Sequence, residues 1–351
     1  MTMGAAPLPA TMQAMALAGF DGPDSLRAMT LPVPVPQPGE VLVRVAAVGV
    51  NPADWKACAG HLPFLPDSFL PLAPGFDGTG TVVALGEGVD SLALGDRVAF
   101  MSSIPLGRGG TWSTHAICAA AFAVRLPDSL SFAAAATIPV AGISPREALD
   151  QGGLAAGETV LVNGGSGGTG SWAIQIARAA GARVAATAGP ANQDLLRDLG
   201  VDCAIDYRSE DIAARIAQWA PGGVDLVLDT VGQGSLADPA ALIREGGRYV
   251  AIETMLPDEA LPDPARFAAR AITAIRASAS FPRLGEHLAA LVAAVANGTM
   301  RVPPFEVLPL AQAATALARV RDGHVRGKLV LAVDPKLTLA PAATPQTKDH
   351  A

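Results

Sequence analysis

The stretch 159–170, TVLVNGGSGGTG, followed by SWAIQIARAAG, constrains this chain more than any other. A β-branched run, a cluster of glycines and then Ala173, Ile176, Ala177 and Ala180 at i, i+3, i+4 and i+7 predict a strand, a turn and a helix. Gly165, Gly167 and Gly170 fit G-x-G-x-x-G. On this reading Gly165 turns the chain off the strand, Gly167 keeps a Cβ away from a pyrophosphate, and Gly170 lets helix and strand pack closely. The first free N–H groups of the helix then face the phosphates. With 37 glycines among 351 residues the pattern alone is weak, and a plain glycine-rich turn is the alternative. A second predicted strand at 183–187 supplies the βαβ context that favours a dinucleotide. Gly165, Ser166, Gly167, Gly168, Thr169 and Gly170 are therefore the candidate cradle.

The length suggests two domains or one large one. Half of the residues are apolar, 16% are charged and the net charge is −7, which argues against a nucleic-acid binder. No block of Lys and Arg suits an anionic membrane surface. Cys58, Cys118 and Cys203 lie far apart, form no C-x-x-C pair and read as packing residues in a reducing compartment. The first residues lack the basic start and apolar run of a signal peptide. Residues 159–177 are uncharged over almost a membrane-spanning length, but Asn163 and five glycines interrupt them. The expectation is a soluble, cytoplasmic protein.

Residues 1–11 and 336–351 read as flexible tails. Up to about residue 130 the pattern is short strands, as at 41–50 and 78–86, with tight turns and no long helix, which predicts a small barrel-like β domain. From 132 onward strands alternate with helices. Strands are expected at 159–163, 183–187, 203–206, 224–229 and 247–252, with Ser209 as a candidate cap for the helix carrying Ile212, Ile216 and Trp219. A helix at 284–297 and a closing strand at 328–333 follow. The alternation predicts an α/β fold with a parallel sheet covered on both faces.

The segments GVNPADWK (49–56), PGFDGTG (74–80), GEGVDSLALGDRV (86–98), NGGSGGTGSWAIQIA (163–177) and HVRGKLVL (324–331) together resemble the medium-chain dehydrogenase/reductase superfamily. The likeness is to its zinc-free, quinone oxidoreductase-like branch. The resemblance implies a GroES-like β-barrel catalytic domain at 12–131 and 301–335, a Rossmann NADP-binding domain at 132–300, and a homodimer. It also exposes departures from the zinc alcohol dehydrogenases. Asn51 stands where those have a metal-binding Cys, Gly75-Phe76-Asp77 where they have Gly-His-Glu, and 139–142 holds no Cys. Three scattered cysteines cannot build a structural zinc site, and the five histidines show no H-x-x-H spacing. No metal is expected. Without zinc to polarise an alkoxide, the natural chemistry is hydride donation to an already electrophilic quinone or conjugated carbonyl, whose oxyanion hydrogen bonds can stabilise.

The second strand ends Thr187-Ala188-Gly189 with no carboxylate to hold ribose hydroxyls. A carboxylate about 4 Å from a 2′-phosphate would repel it by roughly 4 kcal/mol per charge at an effective dielectric near 20, so its absence opens the way to NADPH. The resemblance sets Tyr207 against that phosphate; the alternative is a partly exposed aromatic at a strand end. It also sets Ser144 near the nicotinamide carboxamide, and Thr230 and Val231 near the nicotinamide ribose, although Val231 suits a core equally. Arg146, in place of a bulky aromatic within ISPREAL (143–149), is either solvated on a helix or directed at an anionic substrate. For the acceptor, Asn51 is the candidate oxyanion donor, or it satisfies backbone groups before Pro52. Lys56 is a candidate proton donor if desolvated, or a surface residue. Asp54 reads as local support. The loop 61–74 brings Phe64, Leu65, Phe69 and Leu70 either to an apolar acceptor or onto the β domain. The expected function is a zinc-independent, NADPH-dependent oxidoreductase acting on a small apolar or conjugated carbonyl substrate. The rivals are an enone C=C reductase and, from another class, an NADPH-binding sensor or non-redox protein on the same fold.

Overall fold

The computed structural model describes residues 8–232, 234–252 and 264–338. Within them the chain divides into two compact units. One comprises residues up to Val140, Pro282–Gly323 and the chain from Lys328 onward; the other comprises Ala141–Phe281 and His324–Gly327.

The second unit is a six-stranded, all-parallel sheet. Its order is Cys203–Asp206, Arg183–Ala188, Thr159–Asn163, Val224–Asp229, Ile243–Ile252 and Thr273–Ala277. In chain order that is 3-2-1-4-5-6, the doubly wound arrangement, whose direction reverses between Thr159–Asn163 and Val224–Asp229. The interior strands read as continuous apolar runs because both faces are covered, and Leu161, Val162, Val184, Val227 and Leu228 are wholly buried. The last strand escaped the sequence pattern because its residues are mostly exposed at a sheet edge, so no apolar run marks it. Ser209 is not the helix cap. Its hydroxyl donates to Asp206 Oδ2 (2.7 Å), while Asp211 Oδ1 accepts the Ala214 N–H (3.0 Å) ahead of Ile212–Trp219.

The first unit centres on a sheet in which Glu40–Gly49 pairs antiparallel with Asp77–Leu85, His115–Ala119 and, from the far end of the chain, Lys328–Ala332. Val330 lies opposite Gly49 and Leu331 opposite Val48, so the C-terminal strand completes the N-terminal β domain. Phe305–Pro309 adds a parallel strand beyond it. The unit boundaries differ from those read off the sequence, 131/132 and 300/301, for two reasons. Phe132 and Val140 are held by Thr79 and Asp77 of the β sheet. The helix Leu284–Ala296 approaches this unit so closely that a Cβ on Gly285 would overlap the Ala121 carbonyl oxygen. The loop 61–74 packs onto its own unit. Leu62, Leu65 and Leu72 are buried with Phe76 and Ile104, and Phe64, Phe69 and Leu70 lie against them. All three cysteines are buried and unpaired by disulfides. Residues 1–7 and 339–351 lie outside the described residues; of the expected tails, Thr11 opens the strand Thr11–Ala16, and Thr338 is buried with its hydroxyl bonded to the Ala46 carbonyl. No helix among the described residues is long and apolar enough to cross a membrane.

Candidate functional site

The strand Thr159–Asn163 runs into the glycine turn, and the helix Gly168–Ala179 starts with no side chain capping its N-terminus. The sharp turn is made by Gly164, whose φ is 85°, and not by Gly165 as the motif suggested. Gly165 serves packing instead: a Cβ there would lie 2.8 Å from Ala186 Cβ and 2.9 Å from Leu196 Cδ2. A Cβ on Gly170 would overlap the Gly164 carbonyl oxygen, which confirms close helix–turn packing. At Gly167 a Cβ would meet nothing nearer than Gly164 O at 3.7 Å. Ser166, Gly167, Gly168 and Thr169 are half-buried beside it. An open backbone face with unused helix N–H groups is what a pyrophosphate requires.

A buried polar network fixes this turn. Asn163 Nδ2 donates to Asp229 Oδ1 (2.9 Å) and Ser235 Oγ (2.8 Å), and its Oδ1 accepts from Thr187 Oγ1 (2.8 Å). Thr187 in turn accepts the Gly164 N–H (3.0 Å). Asp229 also accepts the N–H groups of Val231 and Gly232 and the Tyr249 hydroxyl (2.6 Å). Three strand ends are thereby tied to one another where the sheet order reverses. Thr230 Oγ1 donates to the Asn163 carbonyl (2.7 Å), and a Cβ on Gly164 would touch both Thr230 and Val231. Val231 is exposed rather than core. Ser144 is half-buried on the helix Pro139–Gln151, where Arg146 forms a surface pair with Asp150 (3.2 Å).

At the end of the second strand, Gly189 faces Tyr207 and Arg208. A Cβ on Gly189 would lie 3.7 Å from the Tyr207 hydroxyl and 3.8 Å from Arg208 Nε. Asp206, level with Ala188 in the register, spends its oxygens on the Arg208 N–H and the Ser209 hydroxyl. Arg326 is engaged bidentately with Asp194 (2.9 and 2.8 Å).

In the other unit, Asn51 and Asp54 open the short helix Pro52–Cys58 and meet Asp77 and Lys328 in a buried cluster. Asn51 Nδ2 donates to Asp77 Oδ1 (2.9 Å), and Lys328 Nζ donates to Asn51 Oδ1. The Asn51 backbone N–H donates to Asp54 Oδ2 (2.6 Å), and the Val140 N–H to Asp77 Oδ2 (2.9 Å). Asn51 and Asp54 also form a capping box at the start of this helix, in which the Asp54 carboxylate accepts the Asn51 N–H. Lys56 is buried, not a surface residue, with its ammonium 5.5 Å from the centre of the Trp55 ring. Lys328 is the residue sequence reading passed over. Its signal was a lysine opening the wholly buried strand Lys328–Ala332, since lysine is almost never buried unless paired.

Burial, followed by repulsion from Asp77, pushes the Asp54 carboxyl up to about 8, against the Asn51 N–H and Lys328. Burial also raises Asp77 and lowers Lys328, each opposed by attraction to the other. Both Asp77 oxygens are hydrogen-bonded, while Asp54 Oδ1 has no partner among the described residues. The proton shared by the two carboxyls therefore belongs on Asp54. Between pH 4 and 8 the folded chain holds a proton there that the unfolded chain releases, so stability from this group falls as pH rises, by up to about 1.4 kcal/mol per pH unit. Asp54→Asn is expected to remove that slope, so that its melting temperature gains on the wild type from pH 5 to pH 8. Parallel melting curves across that range would contradict the assignment.

The sequence pattern of the alcohol dehydrogenase GroES-like domain matches residues 37–128, and that of zinc-binding dehydrogenases matches residues 199–331. The chain is 32% identical over 325 residues to a chloroplast envelope quinone oxidoreductase homolog of Arabidopsis thaliana, covering 88% of this chain and 94% of that protein. It belongs to the medium-chain dehydrogenase/reductase superfamily. It is also 36% identical over 336 residues to a mycocerosic acid synthase-like polyketide synthase of Mycobacterium tuberculosis, where 93% of this chain spans only 15% of the synthase. Among solved structures, the quinone oxidoreductase of Coxiella burnetii matches 92% of this chain and 99% of its own, with a TM-score of 0.82 and 28% identity.

The two units are thus the GroES-like and Rossmann parts of a chain of the medium-chain dehydrogenase/reductase superfamily, whose members bind nicotinamide dinucleotides. The turn 164–170, Thr230 and Val231 come together in one unit, and Asn51 and Lys56 lie together in the other. Asn163, Asp229 and Tyr249, which hold the turn, were missed because a polar residue inside an apolar strand has no meaning until its partner strands are known.

Proposed function

We propose that this protein is a zinc-independent, NADPH-dependent reductase that passes a hydride to a quinone or another conjugated carbonyl compound. The observation that carries the cofactor choice is the pair Tyr207 and Arg208 beside Gly189, with no carboxylate at the end of the second strand itself, Thr187-Ala188-Gly189. A phenol and a guanidinium suit a 2′-phosphate, which a ribose carboxylate would repel. Zinc does not fit the residues present. Asn51, Phe76 and Asp77 occupy the resembling ligand positions, and the Lys328 ammonium already sits on Asn51, where a divalent cation would meet like charge. No cluster of three His, Cys, Asp or Glu suited to a metal occurs among the described residues.

Reduced nicotinamide would supply the hydride. The helix N-terminus at Gly167–Thr169 would hold the pyrophosphate, with Thr230 and Val231 at the ribose and Ser144 at the carboxamide. As hydride arrives at the acceptor, an electron pair moves onto its oxygen; Asn51 donates a hydrogen bond there and Lys56 supplies the proton.

The test is NADPH oxidation at 340 nm with a panel of quinones and enones, repeated with NADH. Rapid loss of NADPH but little of NADH supports the reading. A stable saturated ketone as product would make the protein a C=C reductase, and NADPH binding without oxidation would favour the sensor. Arg208→Ala is expected to raise the KM for NADPH about 30-fold, from roughly 2 kcal/mol for a hydrogen bond to a charged group, and to leave the KM for NADH unchanged. Equal effects on both cofactors would remove the 2′-phosphate from Arg208.

A further inference from the structure

Lys328 has no role in the reaction as set out above, yet its placement is costly. It is 5% exposed at the head of an otherwise apolar strand, and a buried ammonium costs several kcal/mol unless well paired. Packing alone would be served as well by an apolar side chain. What Lys328 does touch is specific. Its ammonium donates to Asn51 Oδ1, while Asp77 takes one hydrogen of Asn51 Nδ2 at 2.9 Å. A carboxamide has one acceptor oxygen and two N–H donors. Lys328 and Asp77 between them consume the oxygen and one hydrogen, and the second N–H has no acceptor among the described residues.

The two charges also fix which way the amide faces. An ammonium accepts nothing and a carboxylate donates nothing, so the flipped amide would lose both bonds. A cation on the carbonyl oxygen draws density from the amide nitrogen and strengthens the remaining donor. Asp54 and Asp77 both attract Lys328. With Asp54 carrying the shared proton, Lys328 and Asp77 balance, and the cluster can be buried without net charge.

We propose that Lys328 is a positioning residue of the acceptor site: its buried ammonium locks the Asn51 carboxamide so that its remaining N–H is presented, polarised, to the acceptor oxygen. This rests on the assignment of Asn51 as the oxyanion donor. The variant Lys328→Met removes the charge at similar length. In the full chain, with NADPH and the best quinone of the panel, it is expected to lower kcat about 100-fold while the KM for NADPH stays unchanged. A mere packing role would not give that split. Asn51→Ala should lose a similar factor, and the double variant should be no slower than the slower single one, because both remove the same bond. Losses that multiply, or Lys328→Met turning over within about 3-fold of wild type while Asn51→Ala is slow, would overturn the positioning role alone. Asn51→Ala at the wild-type rate would overturn the donor assignment and the inference with it. If Lys328→Met fails to fold, Lys328→Leu, which likewise removes both the donor and the charge, is read in the same way.

Discussion

Gly167→Ala is expected to melt like the wild type and to lose the stabilisation that NADPH gives, while Gly170→Ala loses stability itself. The two glycines differ in what a methyl group would meet. At Gly167 the nearest atom is Gly164 O at 3.7 Å and φ is −76°, an ordinary value for alanine, so the fold has room for it. The added methyl would then stand on the open face where the proposed pyrophosphate would approach the backbone. At Gly170 the methyl would overlap the Gly164 carbonyl oxygen and lie 2.8 Å from Gly165 Cα. These are backbone atoms of a turn held by Asn163, Thr187 and Asp229, so they cannot move without breaking that network. Overpacking of this kind costs about 3 kcal/mol. A cofactor at a hundred times its Kd stabilises by about 2.7 kcal/mol, so melting curves with and without NADPH resolve both effects. Wild-type NADPH protection in Gly167→Ala would remove the pyrophosphate from this turn.

The second large effect is expected at Asn51. Its replacement by alanine should cut kcat by about 100-fold, the usual loss when one oxyanion donor is removed. NADPH binding should remain, because Asn51 belongs to the GroES-like unit and the proposed nucleotide turn to the Rossmann unit. The substitution leaves Lys328 and Asp77 to pair directly, so some loss of stability will accompany it, and a melting curve separates that from the rate effect. A folded Asn51→Ala with reduced NADPH affinity but an unchanged kcat would place Asn51 outside the reaction.

The α/β alternation and the glycine turn were legible in the sequence, because each rests on local pattern, apolar runs and glycine spacing, whereas the completion of the β domain by the last strand was implied only by the family resemblance. Where the pattern was diluted, the reading faltered. The exposed edge strand Thr273–Ala277 carries no apolar run, and the helix Leu284–Ala296 looks the same whichever unit it packs on. The motif gave Gly165 the turn that Gly164 makes, since spacing cannot show which residue takes a positive φ.

The candidate site divides in the same way. The strand, turn and helix of the proposed cradle were readable because one continuous segment forms them. The acceptor cluster was not, because Asn51, Asp77 and Lys328 lie far apart in the chain and only the pairing of Glu40–Gly49 with both Asp77–Leu85 and Lys328–Ala332 brings them together. By itself the sequence determined where the strand, the glycine turn and the helix of the proposed phosphate cradle lie. Only the tertiary structure decided which buried charges face one another, because a lone lysine or aspartate acquires its proton, its partner and its orientation from residues that distant strands deliver.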